Sequence, residues 1–501
     1  MSDHEKLVEN IASKVRQYFH RSEPFRIYHG STNSTRLTAC QRDNKVDISA
    51  LSRVLMVDPV SKTASVEPNV SMDRLVESTL EHGLIPSVVM EFPGITAGGG
   101  FAGTGGESSS FKYGYFSNTV KSIEIILGNG DIVIASPNRN SDLFHGASGA
   151  VGSLGITTLL DIQLIPAKKY VEVTYHKVKS VSEAISKTKT ETLNHEIDYV
   201  DGMMFSQHHG VIVTGRLTDV VSEDINIQAF SNPSDPWYYL HVKDKTAGDI
   251  ELFKELIPLS EYLFRYDRGG FWVGTSAFTY FNFPFNRYTR WFLDDFLHTR
   301  MLYRALHASQ QSRNYVIQDL ALPYEKVQEF VEFTAQSLGI WPLWLCPLRQ
   351  TQLPTFHPQS AETDCNGRTP VPMLNVGLWG FGPSRFEKYI AKNLELEKKL
   401  RDLNGRKWLY AQTYYDEDEF WQIYGRQWYD QLRKKYHAKS LPSVWEKVKV
   451  DPSAERESAN ASWITRALQI WPLGGIWGIL KAIESGDYHI ARKSSWRTKR
   501  I

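Results

Sequence analysis

The chain has 501 residues, room for two to three domains at ~150 residues each, which excludes a small stapled scaffold. Hydrophobic residues at 42% and charged residues at 23% are ordinary globular values and exclude a wholly disordered, collagen-like or polytopic membrane chain. Lys plus Arg (57) against Asp plus Glu (56) leaves +1, so no global field recruits nucleic acid or an anionic membrane, and any electrostatic preference is local.

The N-terminus, Met1 to Arg21, is polar with scattered Ile11, Val15 and Phe19, unlike a secretory signal. From Pro24 to Pro166 the pattern is strand-rich and closely punctuated by Gly and Pro. Phe25 to Tyr28 reads as a strand, Val54 to Val57 and Ala64 to Val66 as paired strands, and Met72 to His82 as an amphipathic helix closed by Gly83. Ser122 to Leu127 and Asp131 to Ala135 form a predicted hairpin through Gly128-Asn129-Gly130. Beyond Tyr170 the texture changes to longer, aromatic-rich segments, with predicted strands near Val171 to Tyr175 and Gly210 to Leu217 and helices over Asp249 to Phe264 and Tyr324 to Leu338. Helical periodicity returns in Ser384 to Leu403, followed by an expected aromatic strand, Lys407 to Tyr415, and a helix Glu417 to Tyr436 capped by Asp416. After Pro452 a polar linker leads to a Trp- and Ile-rich stretch, Trp463 to Ile483, and a basic end, Arg492 to Arg500. No run of ~18 apolar residues exists to span a bilayer. The expected domains are 1–170, 171–415, a helical return over 416–452 and an appended tail over 453–501, in an α+β fold.

Cys40, Cys346 and Cys365 are far apart and without CxxC spacing, so neither a disulfide framework nor a zinc knuckle is expected and the chain reads as intracellular. His208-His209 is an adjacent pair and the other histidines are scattered, so no metal site is expected. The sharpest feature is Pro93 to Ser110, with seven glycines between Gly94 and Gly106. Bare backbone there lets N–H groups approach a diphosphate or a flat ring closely. It lacks the Lys-Ser/Thr ending of a Walker loop and the βαβ context of a Rossmann turn. Taken alone, the segment has a glycine-rich bend in a strand-dense domain as its lesser reading.

Other signals exist. His29-Gly30-Ser31-Thr32-Asn33-Ser34 follows the first strand, and Asp142-Leu143-Phe144 precedes Gly149 to Thr157. In this order and at these separations the three segments resemble the diphosphate loop, the isoalloxazine-lining loop and the third glycine loop of the vanillyl-alcohol-oxidase (PCMH-type) FAD-binding fold. Within that superfamily, Gly103-Thr104-Gly105, Glu107-Ser108-Ser109, Lys112-Tyr113-Gly114, Asn140 to Phe144, Ile165 to Val171, Trp344 to Pro347, His357-Pro358, Leu409-Tyr410-Ala411 to Tyr414 and Glu419-Phe420-Trp421 resemble the delta-24 sterol reductase (24-dehydrocholesterol reductase) family, over roughly residues 20 to 450. Animal and plant members carry an N-terminal membrane anchor with no counterpart in this sequence, and the tail beyond Pro452 has no recognised equivalent.

The resemblance implies that FAD is bound by Gly30, Ser31, Thr32, Asn33 and Ser34, by Thr96, Ala97, Gly98, Gly99, Gly103, Thr104 and Gly105, by Ser108, Ser109 and Tyr113, and by Gly152, Ser153, Gly155 and Ile156. Covalently flavinylated relatives place a His where this chain has Asn33, and others add a Cys that Met90 to Lys112 lacks, so FAD is expected to be held non-covalently. The family also implies that NADPH reduces FAD and that the reduced flavin saturates an isolated carbon–carbon double bond of a sterol or other isoprenoid. Such an alkene needs a proton donor; Tyr414, aligned on a family Tyr, ranks first, then His357, then Glu107. Aromatic residues at 12% suggest an aromatic wall drawn from Tyr280, Phe281, Phe283, Trp379, Phe381, Tyr410, Tyr414, Tyr415 and Trp421. Oxidation of a secondary-metabolite alcohol on the same fold is the alternative, and a non-catalytic, membrane-associated binding protein a third reading. The expected location is cytoplasmic or peripheral on a membrane such as the endoplasmic reticulum, with the Trp-rich tail either touching lipid or packing on the body.

Overall fold

The computed structural model describes residues 2–30, 44–221, 224–248, 250–309, 311, 314–351, 354–363, 370–453, 467–468 and 470–497. The expectations attached to Ser31, Thr32, Asn33 and Ser34, to Cys40 and Cys365, to Trp463 and Ile464 and to Lys499 and Arg500 lie outside these residues.

The scattered apolar residues of the N-terminus turn out to be one face of a helix, Asp3–His20. It starts at a capping box: the Ser2 hydroxyl accepts from the Glu5 amide and the Glu5 carboxylate accepts from the Ser2 amide. Val8, Ile11, Ala12 and Val15 recur at three- and four-residue spacing, and Phe25, Val46, Ile126 and Leu441 cover them.

The first layer holds β1 (Arg26–Tyr28), β2 (Lys45–Asp47), β3 (Val54–Asp58), β4 (Thr63–Val66), β5 (Leu84–Pro86), β6 (Val120–Ile126), β7 (Ile132–Ala135) and β8 (Ile156–Pro166). β1 and β2 run parallel; the others form an antiparallel sheet in the order β3-β4-β8-β6-β7, with β5 on the far end of β8. The expected hairpin is present, with Ile126 opposite Ile132 and Gly130 at a φ of 87° that closes the turn.

The second layer holds β9 (Tyr170–Val178), β10 (Tyr199–Ser206), β11 (His209–Thr218), β12 (Leu252–Pro258), β13 (Tyr315–Pro323), β14 (Leu343–Leu348), β15 (Met373–Phe381) and β16 (Arg406–Lys407), in the order β12-β9-β11-β10-β14-β15-β13-β16. Strand periodicity decides its two faces. Val316, Leu320, Leu343, Leu345, Val376 and Leu378 point to one side, where Val327, Phe330 and Val331 of the helix Tyr324–Ser337 and Leu396 and Leu400 of the helix Phe386–Asp402 seal them. Their neighbours Asp319, Trp344, Cys346, Asn375 and Trp379 point to the other side, toward the first layer.

Three expected elements differ. Asp249 to Phe264 is mostly β12, followed by a short helix, Leu259–Leu263. Glu255, which in sequence looks like the polar face of a helix, is a buried strand residue that accepts hydrogen bonds from Tyr175 and His241. Lys407 to Tyr415 is strand only at Arg406–Lys407. There the Lys407 ammonium turns inward to bind the Glu397 carboxylate at 2.5 Å and the Gln412 carbonyl, so the chain coils around it. The helix beginning after Asp416 is two helices, Glu417–Tyr424 and Arg426–Lys435, divided at Gly425, whose φ is 74°.

The segment from 417 onward returns to the first layer: Tyr429 donates to the Ser153 hydroxyl, Lys435 pairs with Asp142 at 2.7 Å, and Lys447 donates to the Val151 and Gly152 carbonyls. The tail does pack. Gly475 and Gly478 of the helix Leu473–Ser485 lie against the Tyr280 and Phe281 rings and against Ala305 and Ser309, and Trp496 is buried on Phe264. The opposite face of that helix leaves Ile476, Leu480 and Ile483 in solvent.

Lys407 and Glu397 are both completely enclosed; burial pulls the Lys407 ammonium down from its ordinary range and pushes the Glu397 carboxyl up, and their mutual attraction opposes both shifts. Lys407→Met should cost ~3–5 kcal/mol by stranding the carboxylate, and adding Glu397→Leu should recover most of the loss. Urea unfolding of the two variants measures this, and equal destabilisation in both would show that shape rather than charge holds the segment.

Candidate functional site

A cavity of about 410 Å3 lies between the two layers, and three parts of the chain line it. Gly98, Gly99, Gly100, Gly103, Thr104 and Gly105 form one wall. Gly152, Gly155, Ile156 and Lys447 lie at one end with Ile27 and His29, and Asp319, Asn375, Trp344, Trp379 and Tyr410 at the other.

The glycine wall works by thinness. The amides of Gly98, Gly100, Gly103 and Gly105 donate to the carbonyls of Pro68, Thr96, Gly99 and Gly100, so these four donors are used by backbone carbonyls. What demands glycine is space: a Cβ would stand 2.7 Å from Pro68 Cβ at Gly98, 2.7 Å from Gly99 O at Gly103 and 2.6 Å from Met90 Sδ at Gly105. The short helix Ala97–Ala102 is capped by the Thr96 hydroxyl, which accepts from Gly99 N at 3.1 Å.

At the third loop, Gly152 has a φ of 69° and its Cα faces Ile27 and the Lys447 ammonium, which sits on the Val151 and Gly152 carbonyls at 2.8 and 3.0 Å. Lys447 therefore brings a cation to the diphosphate end of the expected cofactor. Sequence reading missed it because nothing near residue 447 connects it to a loop almost 300 residues earlier.

The far end is largely apolar and aromatic and carries the Asp319 carboxyl; Glu91 is a second buried acid on the cavity wall. Asp319, on β13, faces the cavity beside Gly377, where a Cβ would stand 2.9 Å from Asp319 Oδ1 and 3.1 Å from Trp344 Cβ. Asn375 donates to Asp319 Oδ1 at 2.9 Å and Tyr410 to Oδ2 at 2.6 Å. Burial pushes the Asp319 carboxyl up to about 6, against the pull of these two hydrogen bonds. Phe92, Tyr303 and Trp379 continue the apolar wall toward Leu302 and Leu306 of the helix Thr299–Ala308.

Of the residues singled out in the sequence, Thr96, Gly98, Gly99, Gly103, Thr104, Gly105, Gly152, Gly155 and Ile156 line the cavity. Gly30, with a φ of 85°, ends the strand segment that brings His29 to it. Ala97, Ser108, Ser109, Tyr113 and Ser153 stand outside the wall: Ser108 and Ser109 donate to the Glu107 carboxylate, and the Ser153 hydroxyl accepts from Tyr429.

The three expected proton donors are also set back. Tyr414 lies among the side chains on the helix-covered side of the second sheet, donating to Gln412 Oε1 at 2.9 Å while its amide binds Glu397. The coil around Lys407 turns it away from the cavity. His357 holds the third loop by its Nε2 contact with Ser148 Oγ at 2.8 Å, and burial lowers it to about 3, so it is neutral. Glu107 is enclosed behind the glycine wall, where burial raises its carboxyl, near the Arg265–Asp201 pair at 3.0 Å. Of the proposed aromatic wall, Trp379 and Tyr410 face the cavity. Tyr280 and Phe281 meet the tail helix, Phe283 and Phe381 are exposed, and Tyr415 and Trp421 are buried core. The unused signal for Asp319 was a carboxylate beside Gln318 in the midst of a mostly apolar strand, Tyr315 to Pro323.

Residues 6–136 match the FAD binding domain family. Along most of its length the chain is similar to curated reductases: 29% identical over 455 residues to Delta(24)-sterol reductase of Macaca fascicularis and to that of Homo sapiens, covering 89% of this chain and 86% of each relative. The Arabidopsis thaliana Delta(24)-sterol reductase is 29% identical over 451 residues, covering 84% of this chain and 79% of the relative. Over most of its length the chain is similar to the Delta(24)-sterol reductases. The chain is a FAD-dependent oxidoreductase with an α+β, PCMH-type cofactor domain, and the bare glycine wall with a cation at one end fits a flat ring system joined to a diphosphate. Among the described residues no group of His, Cys, Asp or Glu is arranged to hold a metal, and no helix is long and apolar enough to cross a membrane.

Gly98→Val and Gly103→Val should each give protein with little bound FAD, because the added side chain pushes the wall off Pro68 or the Gly99 carbonyl and into the cavity. Gly248→Ala, at a position with open space around its Cα, serves as the control and should stay yellow. Flavin absorbance per purified chain measures all three; full occupancy in both valine variants would move the cofactor elsewhere.

Proposed function

We propose that the chain is a FAD-dependent reductase that uses NADPH to saturate an isolated carbon–carbon double bond in a sterol or similarly shaped isoprenoid. The observation that carries this reading is the continuity of one cavity from the glycine wall to a largely apolar, aromatic end that holds the buried Asp319 carboxyl, in a chain similar along most of its length to Delta(24)-sterol reductases. Residues 1–170 serve as the cofactor domain, 171–415 as the substrate domain, 416–452 as the brace that returns to the cofactor, and 453–501 as an appendage.

FAD, once reduced, supplies a hydride. Gly98 to Gly105 and Gly152 to Ile156 hold its ring and diphosphate, with Ser31 to Ser34 as further ligands, and Lys447 offsets the diphosphate charge. Trp344, Trp379, Phe271 and Tyr303 exclude water and offer ring faces that stabilise developing positive charge on the alkene. His357 and Glu107 support the loops that carry these groups, and Tyr414 the segment that carries Tyr410.

A water-insoluble substrate suits a lipid source. The outer face of the helix Leu473–Ser485, with Trp471 and Trp477 exposed beside Lys481, has the composition of an interfacial helix, and Phe283, Trp291 and Phe292 extend the exposed apolar surface. We place the protein on this basis at an intracellular membrane surface.

Two outcomes follow. Purified protein should be yellow, release its flavin on acid denaturation, and bleach anaerobically with NADPH in preference to NADH before any substrate is added; bleaching by an alcohol instead would favour an oxidase. Full-length protein should co-sediment with phosphatidylserine-containing liposomes, and Ile476→Glu with Leu480→Glu should abolish sedimentation while FAD remains bound. Failure of the unaltered protein to sediment would sink the lipid contact.

A further inference from the structure

We infer that Tyr410, Asp319 and Asn375 form the proton relay that initiates alkene reduction, with Tyr410 as the donor to substrate, Asp319 as its proton source and Asn375 as the positioning residue. This deepens, and rests on, the reductase reading above. The geometry specifies direction. Asn375 Nδ2 donates to Asp319 Oδ1 at 2.9 Å, so the proton of a neutral Asp319 resides on Oδ2. Oδ2 is the oxygen that meets the Tyr410 hydroxyl at 2.6 Å. With Asp319 neutral, its O–H donates to Tyr410, and the tyrosine hydroxyl turns its own hydrogen into the cavity that both residues line.

Independent features hold the pair in place. The Trp408 amide donates to the Asp319 carbonyl at 3.1 Å and the Trp408 indole to the Thr104 carbonyl at 2.8 Å, which fixes the segment bearing Tyr410 against both β13 and the glycine wall. Gly377, opposite Asp319, leaves the carboxyl the room a Cβ would take. The titratable groups facing Asp319 are Tyr410, Tyr303 of the helix Thr299–Ala308 and Cys346 of β14; burial raises all three, so they stay neutral.

The step balances. The alkene π bond breaks, the Tyr410 O–H proton forms a C–H bond at one carbon, and Asp319 returns a proton to the tyrosine oxygen and becomes a carboxylate. The other carbon, now cationic, takes the hydride that the cofactor supplies, so the alkene is reduced and the cofactor oxidised. The new carboxylate stabilises the cation while it lasts, and water restores its proton after product leaves.

The test uses the FAD-loaded protein and N,N-dimethyldodecylamine, an alkyl tertiary amine that is protonated across pH 5 to 8 and imitates the cation. Its affinity, read from flavin absorbance changes, should tighten by ~10-fold or more as pH rises through about 6 and Asp319 ionises. Asp319→Asn should make binding independent of pH. A pH-independent wild type overturns the relay, and so does a pH response that survives in Asp319→Asn, which would assign it to Glu91, the other buried acid on the cavity wall. If Asp319→Asn does not fold, Glu91→Gln takes its place: a pH response that persists in it supports Asp319, and one that disappears overturns the relay. In stopped flow, Tyr410→Phe should slow the alkene step ~100-fold or more relative to flavin reduction by NADPH in the same protein, and the wild-type alkene step should fall as pH rises above about 6. Equal rates in Tyr410→Phe and wild type overturn Tyr410 as the donor. Absence of any flavin reduction by NADPH would instead strike the reductase reading, which the amine profile does not depend on.

Discussion

Close approach of backbone to backbone around residues 98–106 is the constraint on which the molecule turns. The segment fits between Pro68 on one side and Met90 and Phe116 on the other, and its Gly98, Gly100, Gly103 and Gly105 amides bond to nearby carbonyls, the Pro68 carbonyl among them. Trp408, reaching from the second layer to the Thr104 carbonyl, ties the thin wall to the strands opposite it.

Buried charge is the second organising element. Arg265 with Asp201, His298 with Asp267 and Asp294, and Lys407 with Glu397 all sit in enclosed positions with matched partners. His298 is raised and Asp267 lowered by their mutual attraction despite burial, as a true ion pair requires. Such pairs contribute little net stability, but removing one member is costly, so they fix geometry more than they strengthen it. Glu107, behind the glycine wall, and Asp319, on the opposite side of the cavity, differ in this respect: neither has a cation in direct contact, and burial raises both.

Much of this was legible in the sequence. The hairpin at Gly128 to Gly130, the helices after Met72, Tyr324 and Ser384, and the α+β organisation follow from local periodicity and turn residues, which act over a few positions. The glycine segment was legible as a thin wall but not in its mechanism, because whether an amide faces a ligand or a neighbouring carbonyl depends on Pro68 and Met90, which are remote in sequence. The coil at 407–415 misled for a similar reason: its aromatic alternation suggests a strand, and only the buried Lys407 ammonium, bound to Glu397, overrides it. That rotation exchanges Tyr414 for Tyr410 at the cavity. Asp319 was hidden because a lone carboxylate in an apolar strand gives no spacing to recognise.

The brace formed by residues 417–448 has a consequence for biosynthesis. Tyr429 and Lys447 contact the third glycine loop at sequence separations of 276 and 295, and the His437 carbonyl lies against Gly128 in the hairpin turn. A ribosome releases the N-terminal half long before these partners exist, so the cofactor domain cannot mature as an independent first unit in the way tandem domains do. The cavity wall is completed only once residues 417–448 have emerged.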